Sequence, residues 1–258
     1  MEFESMAQRH AYILKLLKAE DSVKVADLEK LLKVSLVTIR KDLKILEQKN
    51  LLFRTHGYIT KSAPYPTDIN VNLKEDHNKE AKIRIGEAAA KLVDPKSAIL
   101  IASGTTVLQM ARAIQIPENQ HLTVVTSAMN VAMALRDKLN IEIIQLGGIV
   151  RHSSTSVVGP FAEKMLQDLS FSTLFLGVDG LEAAYGLSTS NMLEAKLNAE
   201  MIKVAQKTVV LTDSSKFGKR GFGRICGLTD IDHIVTDSGI SQQSIKRIEA
   251  AGVELTIV

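Results

Sequence analysis

The chain is short of everything that would staple, anchor or metallate it. It has one cysteine, Cys226, so no internal disulfide framework can form, and a single thiol fits a reducing compartment. No apolar run approaches the ~18–20 residues that a bilayer-spanning helix needs. The opening stretch, Met1 to His10, is polar and has no apolar core of the signal-peptide kind, so a cytoplasmic location and no membrane partner are expected. His10, His56, His77, His121, His152 and His233 are scattered, with no His/Cys spacing suited to a metal. Cys226 has no neighbour in sequence that would make it a nucleophile. There is no Gly-x-Ser-x-Gly nucleophile elbow, no Gly-Lys-Ser/Thr of a nucleotide P-loop, no internal repeat and no low-complexity tract. Neither a metal, a cofactor nor a catalytic residue is expected.

A length of 258 residues is enough for two domains of ordinary size, and 45% apolar residues with balanced charge describe a folded protein. The charge is unevenly placed. Residues 1–60 hold eleven Lys/Arg against eight Asp/Glu, whereas the other 198 residues hold 21 of each sign. The whole +3 excess therefore lies at the N-terminus, as it would if one small domain met a polyanion. Gly57 is the only glycine of that region, and its apolar spacing is helical. A polar stretch containing Pro64 and Pro66 follows and reads as a linker. Beyond a helical segment from about residue 78 to 92 the texture changes. Apolar runs at 98–101, 122–126, 141–146, 174–178, 208–212, 233–236 and 254–258 alternate with helix-length segments, which indicates a mostly parallel sheet covered on both faces. The expected fold class is α/β: a helical N-terminal domain (1–60), a linker (61–77), and a mostly parallel α/β domain (78–258).

Within the first domain, helices are expected at about 5–18 and 24–32, a turn at Lys33-Val34-Ser35, and a third helix at about 36–49. Counting 100° per residue, Ile39, Leu43 and Leu46 share one face. Val37, Lys41, Lys44 and Gln48 fall opposite, with Thr38 and Arg40 on the flanks. Such a basic face is often no more than the solvated side of an amphipathic helix. Here, however, a short helix, a three-residue turn and a long basic helix come in order. They are followed by Leu51 to Ile59, which alternates and turns like a two-stranded wing. That combination makes a winged helix-turn-helix domain the expectation for residues 1–60, its third helix a recognition helix, apolar behind and offering cations and hydrogen-bonding groups to a major groove in front. Candidate DNA-contacting residues are Ser35, Val37, Thr38, Arg40, Lys41, Lys44, Arg54 and His56.

In the second domain the strand at 98–101 runs into Ala102-Ser103-Gly104-Thr105-Thr106 and then a helix. Backbone N–H groups and hydroxyls at a helix N-terminus form a ready phosphate site; a plain strand–turn–helix with a threonine cap reads equally well. Further glycine- and hydroxyl-rich stretches follow: Gly147-Gly148, Arg151 with Ser153 to Ser156, Gly177-Val178-Asp179-Gly180, Gly186 to Thr189, and Asp213 to Gly218 with Lys216. Loops at the carboxyl ends of parallel strands are where open α/β sheets bind ligands.

The run Val34-Ser35, Thr38-Ile39-Arg40-Lys41-Asp42-Leu43, Leu46-Glu47, continuing through Leu51-Leu52 and Arg54-Thr55-His56-Gly57, resembles the signature of DeoR-type bacterial transcriptional regulators. The later motifs, in their order, resemble the effector domain of the same family, so the likeness covers nearly the whole chain. It implies that the third helix enters the major groove, with Thr38, Arg40 and Lys41 at the matching positions. Lys41 stands where the family has a second arginine, which keeps the charge but loses the bidentate fork. The wing reads His56-Gly57-Tyr58-Ile59 in place of His-Gly-Gly-Ala.

For the second domain the resemblance implies a sugar-phosphate site on a fold related to ribose-5-phosphate isomerase. Ser103, Gly104, Thr105 and Thr106 would hold the phosphate, Asp179 and Lys216 would line the sugar pocket, and Glu194 and Lys196 are secondary candidates. Gly147, Gly148 and Arg151 join this effector set. Ala102 replaces the family's usual aspartate, and Ser127-Ala128 its Asn-Ser. The expected function is a repressor of a carbohydrate-metabolism operon that binds double-stranded operator DNA as a dimer or tetramer and answers to a phosphorylated sugar. An isomerase-like enzyme using Asp179 or Glu194 as base and Lys216 beside an enediolate is the alternative; an architectural DNA-binding protein with a ligand-free dimerisation domain is a third reading.

Overall fold

A computed structural model describes residues 5–20, 22–48, 51–55, 57–60 and 71–258. The N-terminal part holds helix α1 (Met6–Ala19), strand β1 (Ser22–Lys24), helices α2 (Val25–Leu32) and α3 (Leu36–Gln48), and strands β2 (Phe53–Thr55) and β3 (Tyr58–Thr60). Ser5 opens α1 with a capping box to Gln8, which satisfies otherwise orphaned backbone donors. The turn between α2 and α3 is made by Lys33 in the left-handed region (φ 53°). Ile13, Leu17, Leu28, Leu32, Ile39, Leu43, Leu46, Leu52 and Ile59 close one core, and helical periodicity had placed Ile39, Leu43 and Leu46 there. Strand β1 had no sequence signal; it pairs with β3, which in turn pairs with β2.

Helix α4 (Val71–Asp76) comes next, then α5 (Lys79–Ala90), β4 (Ala98–Ile101), α6 (Thr105–Ala113), β5 (Leu122–Thr126), α7 (Met129–Leu135) and β6 (Ile141–Gln145). A hairpin of β7 (Ile149–Arg151) and β8 (Ser156–Val158) leads to α8 (Pro160–Leu166) and β9 (Phe171–Gly177). After β10 (Gly180–Glu182), β11 (Gly186–Thr189) and α9 (Met192–Lys203) come β12 (Ala205–Leu211), β13 (Gly223–Cys226), β14 (His233–Thr236), α10 (Gln242–Ala250) and β15 (Glu254–Ile257).

Seven of these strands form one sheet in the order β15-β14-β12-β9-β4-β5-β6, and every pairing in it is parallel. Successive strand residues point to opposite faces, and both faces are dry. Leu100, Leu174, Leu176, Val210 and Ile234 join α8, α9 and α10 in one core. Ile99, Ile101, Phe175, Val209, Leu211 and Val235 join α5, α6 and α7 in the other. Continuous apolar strands are what a sheet buried on both sides requires. Where the sequence suggested plain loops, β10, β11 and β13 build a small antiparallel sheet.

One expectation needs correction: the stretch 61–77 is not linker throughout. Residues 71–76 are helical, and Val71 is buried with its N–H donating to Ser153 O at 2.6 Å. Residues 61–70 lie outside the described residues.

Candidate nucleic-acid interface and ligand cleft

Helix α3 begins at Ser35, whose Oγ accepts from Thr38 N (3.4 Å) and pairs with Thr38 Oγ1 (3.1 Å). These bonds cap the helix and fix the Thr38 hydroxyl beside the cap. Val37, Arg40, Lys41 and Lys44 are exposed, Val37 by 62%. Behind them Asp42 is only 2% exposed. It accepts from Arg9 Nε at 2.7 Å and Nη2 at 3.3 Å, and lies 3.3 Å from His10 Nε2. This clamp of α1 on α3 was not foreseen, because nothing local to residues 9 and 42 signals that they meet.

In the wing, Gly57 takes φ 80°, a conformation that suits glycine. Ile59 is fully buried and Tyr58 is 43% exposed. The non-family residue at 59 thus anchors the wing to the core. Arg54 is exposed, and its N–H donates to Glu47 Oε1 at 3.2 Å. His56 lies outside the described residues.

The second feature is a cleft at the carboxyl ends of β4 and β9. From β4 the chain proceeds to β5 and β6 on one side, then returns to β9 on the other side of β4. These two strands therefore flank the topological switch point, where the loops diverge and a crevice opens. Gly177 permits the close approach: a Cβ there would stand 3.0 Å from Ser103 O. The cleft has about 580 Å³ of empty space including its open mouth. Ser103, Gly104, Thr105, Thr106, Asp179, Glu194 and Lys216 all line it, joined by Ser153, Ser154, Thr189 and Ser190 and by the unforeseen Val71, Lys74 and Lys82.

At its floor α6 starts from Gly104, whose φ of 140° only glycine adopts easily, and no side chain caps this end. The first intrahelical bond is Leu108 N to Gly104 O, so the N–H groups of the first turn face the cleft with the partial positive charge of the helix end. Lys82, on α5, is buried beside them. A glycine one turn on, Gly86, brings α5 against the backbone of α6; a Cβ would meet Met110 N at 2.6 Å. Burial pushes the Lys82 ammonium down to about 8, against the pull of Asp213 and with repulsion from Lys216. Lys219 is pushed down to about 8 by burial and by Lys216.

Asp179 receives Lys74 Nζ on Oδ1 at 2.7 Å. Its Oδ2 accepts from Ser190 Oγ (2.9 Å), Ser190 N (3.1 Å) and Thr189 Oγ1 (3.2 Å). Burial alone would raise this carboxyl, but Lys74 above all, with Lys216 and Ser190, holds it at about 2. Beside Lys216, Asp213 accepts from Asn78 Nδ2 at 2.9 Å and Ser215 N at 3.0 Å; its pKa too is lowered, burial being outweighed by Lys216 and these donors.

Three expected effector residues stand elsewhere. Gly147 and Gly148 border a separate apolar hollow with Phe161, Lys164 and Met165, because the chain turns away from the cleft end after β6. Lys196 points out from α9 and pairs with Glu163 at 2.7 Å. Arg151 supports the cleft rather than lining it: buried, it donates to Glu194 Oε2 and, at 3.1 Å, to Ser153 Oγ, while Ser103 Oγ donates to Glu194 Oε1 at 2.7 Å. Ala102 is fully buried in the core and is not among the lining residues.

A winged helix-turn-helix with an exposed cationic third helix, carried by an α/β domain with a polar cleft at its switch point, defines a DNA-binding regulator with a sensor domain. Residues 9–61 match the DeoR-like helix-turn-helix domain and residues 77–238 the DeoR C terminal sensor domain, and the chain belongs to the DeoR family of transcriptional regulators. It is 37% identical over 254 residues to a putative aga operon transcriptional repressor of Escherichia coli O157:H7, covering 98% of this chain and 94% of that protein. It is 32% identical over 247 residues to the HTH-type transcriptional regulator GlpR of Haloferax volcanii, covering 96% of each.

Among solved structures, a ribose 5-phosphate isomerase A of Methanocaldococcus jannaschii aligns at TM-score 0.40 and 18% identity over 54% of this chain and 55% of that one. A probable sor operon regulator of Shigella flexneri aligns at TM-score 0.39 and 12% identity over 67% and 85%. Likenesses this slight carry no function across. The sequence relatives are regulators, and this chain is a DNA-binding transcriptional regulator rather than an isomerase. Among the described residues no helix is long and apolar enough to cross a membrane, and no group of three His, Cys, Asp or Glu could hold a metal ion.

Proposed function

We propose that the chain is a repressor whose operator affinity is set by a phosphorylated sugar bound in the cleft between β4 and β9. The observation that carries this reading is the meeting, in one crevice, of an uncapped helix N-terminus with Lys82 and Lys216, and of a carboxylate, Asp179, kept ionised beside serine and threonine hydroxyls. A phosphate fits the first group, since backbone N–H donors and ammonium groups meet its oxygens. Asp179 and Glu194 fit sugar hydroxyls, which donate to carboxylates. At the other end Thr38, Arg40 and Lys41 face the major groove, with Ser35, Val37, Lys44 and Arg54 around them. Two copies, or two pairs, present two such helices to half-sites about one helical turn apart.

Coupling of ligand to DNA in such proteins is typically worth about 1–3 kcal/mol. A thermal-shift screen of pentose and hexose phosphates on the full chain, followed by DNA-binding titration with any hit, tests the reading. A hit should raise the melting temperature by mass action, lose that effect in Lys216→Ala, and change operator affinity. Sugar phosphates that neither bind nor alter DNA affinity would overturn it.

A further inference from the structure

Helix α4 is tied to four of the elements that form the cleft. Its first residue bonds Ser153 in the loop between β7 and β8. Glu75 accepts from Arg112 Nη1 at 2.7 Å and from Gln109 Nε2 at 3.5 Å, both on α6. Lys74 reaches Asp179 beyond β9, and its carbonyl accepts from the buried Lys82 ammonium. A segment tied to four separate cleft elements is a wall of the site.

Among these ties, the Lys74–Asp179 pair is the one built to exchange. Oδ2 of Asp179 already has three donors of its own, from Thr189 and Ser190, whereas Oδ1 is held by Lys74. A ligand hydroxyl donating to Oδ1 would therefore free Lys74 without leaving the buried carboxylate short of partners, so the exchange avoids the penalty of an unpaired charge. The charges leave room for an anion. Lys74, Lys82 and Lys216 line the cleft with Asp179 and Glu194, and Glu194 is already paired with Arg151. Asp213 and Lys219, just outside the lining, act on Lys216 with opposite charges that offset each other, so three lining cations against Asp179 leave a surplus of two positive charges, the complement of a phosphomonoester dianion.

We propose that Lys74 and Lys82 are ligand-binding residues and that α4 reports occupancy. The phosphate at the start of α6 takes Lys82 and draws Lys74 from Asp179, a ligand hydroxyl takes its place on the carboxylate, and α4 shifts with Lys74. Because α4 is the first described element after the DNA-binding module, ligand state reaches that module through its own connecting chain. This rests on the reading of the cleft as a phosphorylated-sugar site.

Hydrogen exchange on the full chain, read in peptides covering 71–76 and 103–108, tests it with inorganic phosphate and ribose 5-phosphate as probes. Both probes should slow exchange at 103–108, and ribose 5-phosphate should also change exchange at 71–76. Without ligand, Lys74→Met should speed exchange at 71–76 about fivefold through loss of the ion pair, and it should abolish the ligand response there while keeping that at 103–108. Lys82→Met should lose the response of 103–108 to phosphate. Slowing at 103–108 with no ligand response at 71–76 in the unmodified chain would overturn the role of α4 and leave the phosphate seat standing. An unchanged phosphate response in Lys82→Met would overturn the role of Lys82. No response at either peptide to either probe, with no thermal shift from any sugar phosphate, would remove the ligand reading and this inference together.

Discussion

Replacing Asp42 by alanine should loosen the DNA-binding module far more than its place on a surface helix suggests. The carboxylate is almost wholly buried and holds the Arg9 guanidinium by two bonds, at 2.7 and 3.3 Å, with 13% of the Arg9 side chain exposed. The pair raises the Arg9 pKa, chiefly through its hydrogen bond to Asp42, but an arginine stays protonated without such help, so it cannot answer the loss by giving up its proton. Removing one partner of a buried pair costs about 3–5 kcal/mol. Arg9 keeps a path to solvent, which lowers the expected cost to about 2–3 kcal/mol, less than a typical domain's whole stability.

That loss corresponds to about 30- to 150-fold faster exchange of the Ile39, Leu43 and Leu46 amides, if these open only with the module, in hydrogen-exchange measurements on the full chain. The double substitution Arg9→Met with Asp42→Leu should recover most of the loss, since two apolar side chains replace two charges without leaving either unpaired. Exchange changed by less than about threefold in Asp42→Ala, well below one kcal/mol, or a double variant as loose as the single one, would refute the buried-pair reasoning.

At the DNA surface, Arg40→Ala should cost about 1–3 kcal/mol and relax sequence preference, whereas Lys44→Ala should weaken all DNA alike and flatten the salt dependence; titrations on selected and random duplexes at several salt concentrations separate the two. A phosphomonoester should bind best between about pH 6, where it becomes a dianion, and pH 8. Lys82 is held at about 8, so above that pH it sheds the proton that attracts the ligand. Calorimetry should therefore find affinity falling as pH rises through 8, with proton uptake on binding near that pH; a flat profile would contradict the role given to Lys82. Gly86→Ala forces α5 from the α6 backbone, where its Cβ would stand 2.6 Å from Met110 N. It should destabilise the chain in urea unfolding by about 1–3 kcal/mol or more and weaken phosphate binding, because Lys82 shifts with α5.

Much of the fold was legible because its signals are local. Parallel strands buried on both faces are unbroken apolar runs, and the runs at 98–101, 122–126 and 233–236 coincide with β4, β5 and β14. Helical periodicity likewise put Ile39, Leu43 and Leu46 inside and Val37, Lys41 and Lys44 outside. The cleft was most legible where chemistry follows a strand, as at Ser103 to Thr106, Asp179 and Lys216. Gly147 and Gly148 have the same texture, yet the chain carries them to another hollow, since composition says nothing of the direction a loop takes. Lys74 was hidden inside a supposed linker.

By itself the sequence determined the order and kind of the elements, the sided third helix, and the division into a basic helical module and a neutral α/β part, because periodicity and charge act over a few residues. Tertiary structure alone decided which residues share a site. Lys74 and Asp179 meet across 105 positions, Arg9 and Asp42 across 33, and Asn78 and Asp213 across 135. Such pairs form only where the packing of strands and helices brings distant backbone together, and burial then makes each unpaired charge too costly to leave alone.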